Sequence, residues 1–60
     1  MTRYDLDHDN VLIFFREGVF YPITAVKGIP LAAQARTHAE LNPGTLRVED
    51  KDGNVLWVMQ

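Results

Sequence analysis

Val11-Leu12-Ile13-Phe14-Phe15, followed after three residues by Val19-Phe20-Tyr21-Pro22-Ile23-Thr24, is apolar at odd and even positions alike. This double-sided character constrains the fold more than any other feature of the chain. β-Branched and aromatic residues of this kind favour strands, and successive strand side chains point to opposite faces. Each face of a sheet built on these segments therefore needs a cover. Arg16-Glu17-Gly18 suits a three-residue hairpin loop with Gly18 in a left-handed bulge. That loop pairs Phe15 with Val19, Phe14 with Phe20 and Ile13 with Tyr21. Val11, Ile13, Phe15, Val19, Tyr21 and Ile23 then share one face, and Leu12, Phe14, Phe20 and Pro22 share the other. Pro22 has no N–H for a ladder, which assigns the second strand to a sheet edge.

One cover is legible. Leu31 to Leu41 has helix-favouring composition, with three Ala in its first five residues. Pro30 suits a first helical position, where its missing N–H costs nothing, and Asn42-Pro43-Gly44 ends the segment. The predicted helix spans 30–41, with Leu31, Ala35, His38 and Ala39 on its inner face and Ala32 beside them. Gln34, Arg36, Thr37 and Glu40 mostly face away. Its small Ala side chains permit close approach to a sheet.

Thr45-Leu46-Arg47-Val48-Glu49-Asp50 alternates with period two, the pattern of a half-buried strand. Asp52-Gly53 marks a tight hairpin turn, and Asn54 to Met59 returns. With Lys51 opposite Asn54, Val48 meets Trp57. The core face then holds Leu46, Val48, Val55, Trp57 and Met59, and the opposite face Arg47, Glu49, Leu56 and Val58.

The expected organisation is one domain over 1–60. It comprises an acidic arm at 1–10, a hairpin at 11–24, the helix at 30–41 and a second hairpin at 45–59. The fold class is α+β: a ββαββ chain forming one four-stranded antiparallel sheet of order 2-1-3-4, with the helix on one face. A right-handed crossover permits that order. Sixty residues are too few for two ordinary domains.

One helix leaves one face of the sheet bare. Leu12, Phe14, Phe20, Pro22, Leu56 and Val58 are the residues expected there. Full burial of one Leu or Phe side chain is worth roughly 1.5–3 kcal/mol, so covering several rivals the stability of so small a domain. Contiguous apolar patches mark interaction surfaces. A second copy is the simplest cover, because identical faces can meet across a two-fold axis. Another protein, or the arm folding under through Tyr4 and Leu6, would serve the same purpose.

Chemistry is sparse by comparison. There is no Cys, so disulfides, Cys-based zinc sites and Cys nucleophiles are excluded. No Ser is present either. His8 and His38 are far apart in sequence, and only Thr37 and Thr45 lie near His38 as hydroxyl partners. A partly buried structural role suits His38 better than general-base work. Asp5, Asp7 and Asp9 resemble the start of an EF-hand loop, yet the twelfth position is Arg16 where a bidentate Glu is needed. Their simpler uses are to keep an edge from pairing with other molecules and to steer a basic partner. Asp50-Lys51-Asp52-Gly53-Asn54 is explained by turn chemistry. Gly28-Ile29-Pro30 lacks the spacing of a phosphate loop. A stacking platform of Phe14, Phe20 and Tyr21 for single-stranded nucleic acid would need surrounding basic residues. Only Arg16 and Arg47 are near, each next to a Glu, and the formal net charge is −2.

The sequence therefore points to a non-catalytic protein that binds other proteins, without cofactor or metal. It is expected to form a homodimer and to act as a regulator or inhibitor, a role that small proteins, phage-encoded ones among them, often fill. Two alternatives are a divalent-cation or small-ligand binder using the acidic arm, and a single-stranded nucleic-acid binder. No apolar run approaches the roughly 20 residues of a membrane span, and the amino terminus lacks a secretory pattern. A cytoplasmic location is the corresponding expectation.

Overall fold

A computed structural model describes residues 5–60. Its elements in chain order are β1 (Leu6–Arg16), β2 (Val19–Val26), α1 (Leu31–Leu41), β3 (Thr45–Glu49) and β4 (Val55–Val58). The four strands form one antiparallel sheet in the order β2-β1-β3-β4. The helix packs on one face. Fold class, strand order and the edge position of the Pro22 strand are as the sequence implies.

The register of the first hairpin differs by one residue. Arg16 pairs with Val19, Phe15 with Phe20, Phe14 with Tyr21, Ile13 with Pro22 and Leu12 with Ile23. The loop is Glu17-Gly18 alone, with Gly18 at φ 78. Arg16 is drawn out of the turn and into the strand end, where its guanidinium donates to Asn42 O, Pro43 O and Thr45 Oγ1 across the molecule. A slip of one residue moves every side chain of one strand to the opposite face relative to its partner. Leu12 and Phe14 consequently lie under the helix with Tyr21 and Ile23, at 0% and 1% exposure. Their expected place on the bare face is corrected accordingly.

The core is completed by Val48, Ala35 and Ala39, with Leu31, Leu56 and Trp57 packed around it. The Ala pair brings α1 close enough for the His38 ring to meet Phe14 edge-on at 5.8 Å, while Tyr21 stacks on Phe14 at 5.7 Å. Pro30 stands just before the helix rather than in it, and its carbonyl accepts from Ala33 and Gln34 N–H. Asn42 closes the other end, its side chain donating to His38 O. Ala32, expected near the core, is exposed, whereas Gln34, expected outside, is buried.

The second hairpin keeps the Val48–Trp57 pair but reaches it differently. Its loop is Lys51-Asp52-Gly53, closed by Asp50 N–H to Asn54 O and Gly53 N–H to Asp50 O, with Gly53 at φ 86. The added loop residue shifts the register by one, and a bulge at Leu56 between Val55 and Trp57 restores it. Val55 therefore faces outward opposite Glu49, and Leu56 turns against the core. Val55 was expected inside and Leu56 outside. Leu46 and Met59, also expected inside, are exposed.

The expected loose arm is in part a strand. β1 begins at Leu6, which pairs with Val26, and Asp7 pairs with Ala25; His8, Asp9 and Asn10 then bulge out before pairing resumes at Val11–Thr24. Leu6 lies against β2 rather than under the sheet, and Tyr4 lies outside the described residues.

Candidate interaction face

The face of the sheet opposite α1 carries two in-register rows. Strand pairing aligns Phe20, Phe15, Arg47 and Val58 across β2-β1-β3-β4, and two residues further along it aligns Pro22, Ile13, Glu49 and Val55. Alternation from buried Leu12, Phe14 and Val48 puts both rows outside. Phe20 is 68% exposed, Val55 57% and Val58 51%. Pro22 is exposed, and Ile13 and Phe15 are half-buried.

Side chains within the rows support one another. The Phe15 and Phe20 rings stack with centroids 5.7 Å apart. Arg47 lies over the Phe15 ring, its guanidinium carbon 3.9 Å from the ring centroid, a cation–π arrangement. Arg47 Nε also donates to Glu49 Oε2 at 2.6 Å. The inner strand β3 thus bears one positive and one negative group on this face, beside the apolar residues of its neighbours.

The six expected interface residues divide three ways. Phe20, Pro22 and Val58 are on the bare face. Leu12 and Phe14 are in the core, and Leu56 is half-buried against it. Ile13, Phe15 and Val55 take their places outside. The outward side of β2, with Phe20 and Pro22, is the expected one. That of β1 is not, because all five residues from Val11 to Phe15 are apolar.

The acidic segment is organised by its own hydrogen bonds. Asp7 accepts from Asn10 Nδ2 at 2.6 Å and from Asp9 N–H at 3.2 Å. The Asn10 hydrogen bond holds its carboxyl below the usual aspartate range, aided by the Asp9 N–H and more weakly by Lys27 and Lys51. Lys51 Nζ donates to Asp9 O, and Asp5 O accepts from Lys27 N–H. Among the described residues no group of three His, Cys, Asp or Glu is placed to hold a metal ion. The proposed stacking platform is also divided, with Phe14 and Tyr21 in the core and Phe20 outside.

On the helix side, Val26, Ile29, Ala33, Gln34, Thr37 and His38 line a half-open groove of about 390 Å³. Its polar centre is already engaged. Gln34 Nε2 donates to Val26 O and Ile29 O, and Gln34 Oε1 accepts from Val26 N–H, all at 2.8 Å. The side-chain amide thereby occupies the open edge of β2 at Val26, and Gln34 is the structural residue that the sequence pattern misplaced. Among the described residues no helix is long and apolar enough to cross a membrane. Comparison with known protein families, curated proteins and solved structures finds no match to this chain.

Proposed function

We propose that this is a non-catalytic protein-binding protein, a regulator or inhibitor, acting through the face of the sheet opposite the helix. The carrying observation is the pair of rows just described, in which Phe20, Val55 and Val58 are each more than half exposed beside Ile13, Phe15 and Pro22. A patch of this kind is stabilised by leaving water, and each Phe or Val side chain fully covered contributes roughly 1.5–3 kcal/mol. Arg47 and Glu49 add polar orientation within an apolar surround, the composition of a protein interface rather than of a nucleic-acid site. A nucleic-acid reading would need unpaired basic groups around the aromatics, and Arg47 is bound to Glu49. The cysteine-free composition suits a reducing compartment such as the cytoplasm.

A photo-crosslinking residue at the position of Val58 tests this reading in cells. Covalent adducts with protein are expected, and Phe20→Glu, which leaves the core intact, should abolish them. Absence of any protein adduct, or adducts indifferent to Phe20→Glu, would overturn it.

A further inference from the structure

We infer that the partner seated on this face is a second copy of the chain, related by a two-fold axis that lies in the interface, crosses the strands and passes at the level of Phe14 and Val48. The inference rests on the reading above and names its partner. An axis so placed reverses strand direction while keeping each strand over its own mate. It therefore lays the row Phe20, Phe15, Arg47, Val58 on the partner's row Pro22, Ile13, Glu49, Val55, and the converse. Three complementarities follow from one operation. Arg47 of each copy faces the carboxylate of Glu49 in the other. The two stacked aromatics of each copy face Pro22 and Ile13, so large meets small. Val58 meets Val55.

Self-complementarity of this kind is what an isologous interface requires. Sheets packed face to face keep their strands within about 30° of alignment, with side chains interdigitating in a layer about 10 Å thick. That geometry preserves row-on-row contact best at the middle of the sheet, on β1 and β3, where Arg47, Glu49, Phe15 and Ile13 lie. A partner of a single charge sign would match either Arg47 or Glu49 and oppose the other. The rotated copy matches both. Arg47, at 43% side-chain exposure, bonds Glu49 of its own chain through Nε, and a guanidinium has further N–H donors with which to bridge to a second carboxylate. The β2 edge of the sheet is blocked against strand addition by Pro22 and by the Gln34 amide on Val26.

Charge reversal separates this arrangement from every intramolecular explanation. Light scattering should give the unaltered chain a mass twice the 6.8 kDa of one copy. Arg47→Glu alone and Glu49→Arg alone each bring like charges together across the axis twice, and each variant should run at 6.8 kDa with an unchanged circular dichroism spectrum. Mixing the two variants pairs an all-acidic row centre with an all-basic one, and should restore the doubled mass. Rescue on mixing cannot come from contacts within one chain. An unaltered chain of single mass at every concentration, or single variants that remain doubled, would overturn the inference. If the single mass is found while the Val58 crosslink still captures a different protein, the face reading stands and the two-fold partner falls. If neither the doubled mass nor any adduct is found, both fall.

Discussion

Gln34 does the work of a missing strand. Its amide both donates to and accepts from Val26, as a backbone neighbour would, and holds Ile29 O as well. Removing it strands these groups, and a buried polar group left without its partner costs about 1–3 kcal/mol. Gln34→Ala should therefore lower the unfolding free energy in urea by about that amount and accelerate hydrogen exchange at the Val26 amide above all others in β2. Asp50 acts similarly within the second turn. Its carboxylate accepts from Asp52 N–H, Asn54 N–H and Asn54 Nδ2, and the Asn54 side chain is the chief cause of its lowered pKa. Asp7 is lowered by the equivalent bond from Asn10. At both sites the folded chain binds its proton less tightly than the unfolded one. Their contribution to stability is thus complete above the ordinary value of 3.8 and is lost as pH falls below it through the lowered folded values. Urea unfolding followed from neutral pH downward should show stability declining over that acid range. Asp50→Asn, Asp7→Asn should flatten that decline, and a decline unchanged in the double variant would place its cause elsewhere.

Hairpin register is decided at the scale of the element, and here two local departures have different consequences. In the first hairpin a two-residue turn replaces the three-residue one implied by Arg16-Glu17-Gly18, and no bulge interrupts the ladder between Arg16 and Val11, so that stretch of β1 turns over relative to β2. In the second, a longer turn is offset by the Leu56 bulge, so Val48 and Trp57 meet as the alternation implies. Only Val55 and Leu56 exchange sides. Their substitution makes the bulge measurable. On a Phe20→Glu background, chosen to remove the proposed self-association, Leu56→Ala should destabilise by about 1–2 kcal/mol through lost burial. Val55→Ala should stay within about 0.5 kcal/mol, as surface changes do. Equal losses at the two positions would mean that the bulge is absent in solution.

For the whole molecule, Phe14 and Phe20 are opposite cases. Phe14 is sealed between Tyr21 and His38 beneath the helix, whereas Phe20 stands on the outer face. Phe14→Ala should cost about 3–5 kcal/mol, most of what a domain of this size possesses, and Phe14→Glu should abolish the folded circular dichroism spectrum. Phe20→Glu should keep the spectrum and thermal unfolding of one folded copy while halving the solution mass. The same two aromatic residues occupy one face in the register expected from the sequence, where both changes would have acted alike.

Composition and pattern alone determined the ββαββ order, the helix between Pro30 and Asn42, the position of β2 at an edge and the presence of more apolar strand surface than one short helix covers. These follow from local preferences: β-branched runs, an Ala-rich segment, Gly and Pro at turns. Which side of β1 enters the core was decided by tertiary structure, because five consecutive apolar residues fit either face equally well. The deciding contacts join distant parts of the chain. Arg16 is tied to Asn42, Pro43 and Thr45, and Ala35 and Ala39 close over Leu12 and Phe14. The rows of the candidate face likewise exist only once three strand pairs are in register, since Phe20 and Val58 acquire a common surface through β1 and β3 and through no proximity in sequence.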